Sequence, residues 1–107
     1  MNIPVDVVSE LSNHKNIVGI KEASGEISYL AEIARVCGNE FSIYSGNDDI
    51  IVPVLSLGGV GVISVLANVM PLETHNLVMS YLEGDVVNSK NLQLSMNAFV
   101  NSLFIET

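Results

Sequence analysis

The chain has 107 residues, 49% of them hydrophobic, and twelve acidic side chains against four basic ones give a net charge of −8. That length bounds it to one domain with a modest core. The charge excludes a phosphate-backbone footprint, so no nucleic acid, and excludes adhesion to an anionic membrane surface. A small anionic substrate remains allowed, because the local field decides its binding and not the net charge.

Pro4 to His14 reads as the first helix, with Pro in the opening turn and Val5, Val8 and Leu11 on one side. The apolar run from Ile17 to Ala23 is the first strand candidate. Glu26 to Cys37 follows as a helix that gathers Ile27, Leu30, Ile33 and Ala34, with Gly38 as its stop. Phe41–Ser45 is the second strand. Asp48 to Leu57 is a helix whose two leading carboxylates suit the positive end of its dipole, and Pro53 has to fall near its first turn or kink it. Gly61–Ala67 is the third strand, Pro71–Glu83 a helix stopped by Gly84, and Asp85 to about Phe104 a last long helix.

The order α-β-α-β-α-β-α-α, with strand starts about 20–24 residues apart, implies βαβ units and a parallel α/β sheet. The single Cys37 excludes an internal disulfide and suits a small packed hydrophobe in a reducing compartment. No basic segment leads into an apolar stretch at the start, so no secretory signal is expected. Ile50 to Leu72 is uncharged and long enough to cross a bilayer, but Pro53, Gly58-Gly59, Asn68 and Pro71 interrupt it and its flanks are acidic. It splits instead into a buried helix (50–57) and a buried strand (61–67), the continuous apolar run expected of a parallel strand covered on both faces. With two open sheet edges, a start close to a helix and an uncapped end at Phe104-Ile105-Glu106-Thr107, the chain reads as a piece of something larger.

Sites in parallel α/β folds form where strands end. Three such mouths exist: Lys21 with Glu22-Ala23-Ser24-Gly25, then Ser45-Gly46-Asn47-Asp48-Asp49, then the segment from Gly61 to Asn68. Lys21 carries the chemistry. A lysine at the end of a buried strand is costly to desolvate; an apolar site lowers the pKa of an ammonium, and the neutral amine attacks carbonyls. The bland alternative is a strand-end lysine reaching water through its long stem. Alternation groups Lys21 with the small residues Gly19 and Ala23, leaving room for a ligand, and turns Glu22 to the other face, away from direct proton transfer.

The remaining residues read as structural. His14 and His75 lack ligand spacing, and no metal is expected. Gly58-Gly59-Val60-Gly61 precedes a strand and fails the dinucleotide fingerprint. Met70, Met79 and Met96 suit core or interface filler. Ser24, Ser45 and Ser64 lack a paired histidine.

Gly-Ile-Lys-Glu-Ala-Ser-Gly at 19–25, Ser-Gly-Asn-Asp at 45–48 and Gly-Gly-Val-Gly-Val-Ile-Ser-Val at 58–65 together resemble the dihydrodipicolinate synthase (4-hydroxy-tetrahydrodipicolinate synthase) family. This family lies within the pyruvate-dependent class I aldolases, and the resemblance runs from Asn2-Ile3-Pro4 to the chain end. It implies a partial (β/α)8 TIM barrel, with residues 1–107 supplying about the last three βα units and C-terminal helices of one barrel domain and the N-terminal half absent.

It further implies that Lys21 forms an imine with pyruvate, that Ile63 offers its backbone carbonyl nearby, and that Gly46 lines the same pocket with Asn47 beside it. The enamine would attack the aldehyde of aspartate semialdehyde, with no cofactor beyond the covalent imine, in lysine and diaminopimelate biosynthesis. Whole enzymes of the family are commonly cytoplasmic homotetramers, and some are inhibited by L-lysine.

A whole barrel takes roughly 250 residues. The loop that holds the pyruvate carboxylate, the proton-relaying tyrosines, the entrance arginine and most of the allosteric lysine site have no counterpart here. Tyr29, Tyr44 and Tyr81 fall outside the family's catalytic motifs. Two alternatives stay open. One is another pyruvate-dependent aldolase, of the N-acetylneuraminate (sialic acid) lyase or keto-deoxy-sugar aldolase type, against which the Glu-Ala-Ser-Gly run weighs. The other is a non-catalytic truncated fragment.

Overall fold

The computed structural model describes residues 2–105, with side chains through residue 102; Met1 and the Glu106-Thr107 end lie outside the described residues. The elements are α1 (Val5–Ser12), β1 (Gly19–Glu22), α2 (Ile27–Cys37), β2 (Ser42–Ser45), α3 (Ile51–Ser56), β3 (Gly61–Val62), α4 (Pro71–Leu82) and α5 (Val86–Ile105). Short 3₁₀ turns at Asp48–Ile50 and Leu66–Asn68 precede α3 and α4. The expected alternation is therefore present, and the strands form one parallel sheet in the order β1-β2-β3. The register pairs Lys21 with Tyr44 and Glu22 with Ser45, then Tyr44 with Gly61 and Ser45 with Val62.

Local chemistry explains the element ends. Gly38 closes α2 at φ 69°, a left-handed conformation that costs glycine little. Pro71 opens α4 at its first position, where a missing N–H costs nothing. The Asp85 carboxylate accepts from the Asn88 N–H at 3.1 Å and caps α5.

Two expected elements come out differently. The third strand keeps ladder pairing only at Gly61–Val62. Beyond it the Leu66 N–H turns to the Asp48 carboxylate at 3.0 Å and the Ala67 N–H to the Ser64 hydroxyl at 2.9 Å, so the chain curls into a 3₁₀ turn. The helix expected over 48–57 is split at Ile50 (φ −131°, ψ 31°), and Pro53 becomes the third residue of α3.

Partner groups on α5 fill that split. In an unbroken helix Val52 N–H would bond the Asp48 carbonyl, and residue 53 would bond the Asp49 carbonyl. Instead the Gln93 amide stands between the first pair, accepting from Val52 N–H at 2.9 Å and donating to the Asp48 carbonyl at 2.9 Å. Proline has no N–H for the second, and Asn97 Nδ2 donates to the Asp49 carbonyl at 3.0 Å in its place.

Two cores result, one of Val8, Leu30, Ile33, Phe41, Ile43 and Val54 and one of Ile51, Leu55, Leu66, Leu77 and Met96. Because α3 gives Val54 to the first and Ile51 and Leu55 to the second, it is the element that joins them. Met96 fills the core as expected, and Cys37 packs half-buried against the first cluster. Among the described residues no helix is long and apolar enough to cross a membrane.

Candidate active site

The two faces of the sheet differ. Ile43 is buried under the helices, as are Glu22, 7% exposed, and the fully buried Ser45. The opposite face carries Lys21, Tyr44 (37% exposed) and Ile63 (51% exposed), and among the described residues no helix covers it. The alternation expected for β1 is thus found, with Lys21 on the open face and Glu22 on the other.

Lys21 crosses to the second strand mouth. A Cβ added at Gly46 would stand 2.7 Å from Ala23 Cβ and 2.8 Å from Lys21 Cε, so any larger residue would press on Ala23 and push the lysine end aside. Lys21, Ala23 and Gly46 therefore meet at one spot. The dry pocket expected around the amine is not found: Lys21 is exposed. Its face is bounded by three strands only, and nothing in residues 2–105 roofs it.

Asn47 ties the first mouth to the second, its Nδ2 donating to the Ala23 carbonyl at 3.2 Å. The Ser45 hydroxyl steadies the same turn, donating to the Asn47 carbonyl at 2.8 Å and accepting from its N–H at 3.2 Å. Ile63 donates its N–H to the Ser45 carbonyl at 2.8 Å, a ladder bond one residue past β3. It stands at the third mouth with its side chain on the open face.

Asp48 stands with Asp49 in the first turn of the 3₁₀ helix that leads into α3, as expected, and its carboxylate also bonds across the fold. One of its oxygens accepts from the Ser64 hydroxyl and the other from Leu66 N–H, which joins the second mouth to the third. A groove of about 400 Å³ opens beside this junction, lined by Gly46, Asn47, Asp48, Asp49, Val65 and Val100. Behind the sheet, Glu22 accepts from Ser24 N–H at 2.6 Å. Tyr29 donates its hydroxyl to the Ile3 carbonyl, and its pKa is raised first by burial and then by the charges of Glu22 and Glu26. His14 and His75 are exposed, and among the described residues no three His, Cys, Asp or Glu side chains gather to hold a metal.

Sequence reasoning gave Tyr44, Asp48 and Ser64 structural readings and no place in the site. Tyr44 stands in register with Lys21 and its ring lies over Gly61, about 3.5 Å from where a Cβ would be. The period-two pattern of Ser42–Ser45 could have exposed it once the register with β1 was fixed.

The whole chain, residues 1–107, matches the model of the dihydrodipicolinate synthetase family. The 4-hydroxy-tetrahydrodipicolinate synthase of Clostridium perfringens (strain SM101 / Type A) is 56% identical over 107 residues, covering 100% of this chain and 37% of the relative. The enzyme of the same name from Caldicellulosiruptor saccharolyticus is 55% identical over 106 residues, covering 99% of this chain and 36% of the relative. Among solved structures, the 4-hydroxy-tetrahydrodipicolinate synthase of Methylacidiphilum fumariolicum SolV superposes with a TM-score of 0.90 at 40% identity, over 99% of this chain and 36% of that one. The chain thus spans little more than a third of the length of the curated relatives it matches.

Proposed function

Because the chain belongs to the dihydrodipicolinate synthetase family, we propose that it carries the imine-forming third of a lyase active site and is the C-terminal part of one (β/α)8-barrel domain. Lys21 is the nucleophile. Its unprotonated amine adds to the ketone carbon of pyruvate and water leaves, giving an imine whose nitrogen draws electrons from the adjacent methyl. Loss of a methyl proton gives the enamine. The enamine carbon then bonds to the aldehyde carbon of L-aspartate 4-semialdehyde, on the way to 4-hydroxy-tetrahydrodipicolinate. No metal or other cofactor enters this scheme.

Gly46 gives the lysine its path, Asn47 holds the first two mouths together, and the Ile63 carbonyl faces the imine. The complete protein is a cytoplasmic homotetramer on this reading.

The observation that carries the proposal is the convergence of Lys21 Cε, Ala23 Cβ and the bare Gly46 backbone at the strand ends. A lysine serving only as a solvated strand end has no need of a glycine kept clear for its stem. The exposure of Lys21 supports the further view that this chain alone does not turn over, since an amine in water lacks the preorganised surroundings that catalysis uses.

The test is borohydride trapping with pyruvate. It uses a polypeptide completed to the length of its relatives by joining the N-terminal part of the Clostridium perfringens relative ahead of residue 1. Peptide mass mapping is expected to find the reduced adduct on Lys21 and on neither Lys15 nor Lys90. No adduct, or an adduct spread evenly over the three lysines, removes the proposal.

A further inference from the structure

The third strand mouth is the least constrained by the sheet, yet the proposed function asks it to hold the Ile63 carbonyl in place. Ladder pairing of β3 ends at Val62, and one further bond, from Ile63 N–H to the Ser45 carbonyl, carries it to Ile63. Nothing in the sheet then fixes the peptide that joins Ile63 to Ser64, which is the peptide bearing the Ile63 carbonyl. The constraint comes from the side. Ser64 donates its hydroxyl to one Asp48 carboxylate oxygen and accepts from Ala67 N–H at 2.9 Å, while Leu66 N–H donates to the other Asp48 oxygen at 3.0 Å. Asp48 is itself held from behind by Gln93, which is buried and donates to its carbonyl. The neighbouring Asn47 reaches forward to the Ala23 carbonyl, two residues beyond Lys21. Hydrogen bonds from Asn47 to the first mouth and from Asp48 to the third, joined by the peptide between the two residues, therefore tie all three mouths together.

We propose that Asp48 is a positioning residue for the imine chemistry: its carboxylate, through Ser64 and Leu66, fixes the Ile63–Ser64 peptide so that the Ile63 carbonyl faces the Lys21 amine across Gly46. The inference rests on the function proposed above. A carboxylate suits the position because its two oxygens accept from both donors at once. Asparagine would turn an NH₂ group toward either the Leu66 N–H or the Ser64 hydroxyl, and alanine would leave both donors without a partner. Ser64 must be a hydroxyl for a related reason, because it donates to Asp48 and accepts from Ala67 through one atom.

A clasp that merely stabilised the fold would change unfolding and leave the chemistry alone, so the test reads the chemistry directly. In the completed polypeptide, the rate at which borohydride traps the pyruvate adduct at Lys21 is measured at saturating pyruvate, well below the unfolding temperature, for the unsubstituted protein, Asp48→Asn, Ser64→Ala and the double variant. Misplacement of a reacting group by about 1 Å can cost on the order of 10²-fold, so Asp48→Asn is expected to trap about 10²-fold more slowly and Ser64→Ala about 10-fold. The double variant should be no slower than Asp48→Asn alone, as members of one network are not additive. Should Asp48→Asn fail to fold, Ser64→Ala decides by itself. Folded variants that trap at the unsubstituted rate overturn the positioning role and leave the proposed function standing. An unsubstituted protein that traps nothing at Lys21 sinks the function itself, and this inference with it.

Discussion

At Gly46 one hydrogen decides whether Lys21 can lie where it does. The methyl of Gly46→Ala would stand 2.7 Å from Ala23 Cβ and 2.8 Å from Lys21 Cε. The lysine end can swing away, but Ala23 is fixed by its own backbone, so the loop has to give. Overpacking of this kind costs about 1–3 kcal/mol, and the displaced amine should trap pyruvate about 10²-fold more slowly in the completed polypeptide. Thermal unfolding and borohydride trapping on the same preparation check both figures, and a variant that melts lower yet traps normally would show that the glycine serves packing alone. The sequence made the lysine and its small neighbours legible, because alternation along a strand needs only the order of residues. Tyr44 was not legible in the same way. It joins Lys21 through the pairing of two strands, and pairing register is a relation between segments that neither segment states by itself. The dryness expected of the amine also lay out of reach, since it depends on a roof that these residues do not form.

At the scale of elements, the sequence predicted a helix over 48–57 and flagged Pro53 as awkward in it. The structure resolves the awkwardness by breaking the helix at Ile50 and filling the break with two side chains from a helix some forty residues later in the chain. Neither Gln93 nor Asn97 stands out in the sequence of α5, because a polar residue on a long helix is ordinarily solvated. Their meaning comes from the carbonyls they meet. Gln93→Ala should cost roughly 1–3 kcal/mol, because it strips partners from the Val52 N–H and the Asp48 carbonyl at once. Chemical denaturation monitored by circular dichroism measures the loss as a lower midpoint. Gln93→Leu, which fills the same volume without polar atoms, should be no better than alanine if hydrogen bonding is the cause. If leucine restores stability, the site is a packing site and the amide is incidental. The short third strand has the same kind of origin: its apolar run reads as strand, but Asp48 and Ser64 capture the N–H groups beyond Ile63.

For the whole molecule, surface and size agree that the sheet is unfinished. A compact monomer of 11.5 kDa should expose about 5,800 Å² and, at 107 residues, have a radius of gyration near 13 Å. This chain exposes 6700 Å² and has a radius of 14.3 Å. Its cores lie on one side of the sheet and among the helices, whereas the open face carries Lys21, Tyr44 and Ile63. Part of the exposed apolar area, at Tyr44 and Ile63, lies on the face that carries Lys21. Catalysis by an imine needs groups preorganised around the amine on every side, and a face bounded by three strands offers them on one side only. The 107 residues alone should accordingly give no measurable condensation of pyruvate with aspartate semialdehyde. Adding the separately produced N-terminal part of the Clostridium perfringens relative should restore turnover if the two parts close the face together, and the same addition to Lys21→Ala should restore none. A coupled assay for the product, run on the chain, on the mixture and on the Lys21→Ala mixture, distinguishes these cases; turnover by the isolated chain at the level of the mixture would mean that the open face is already a complete active site.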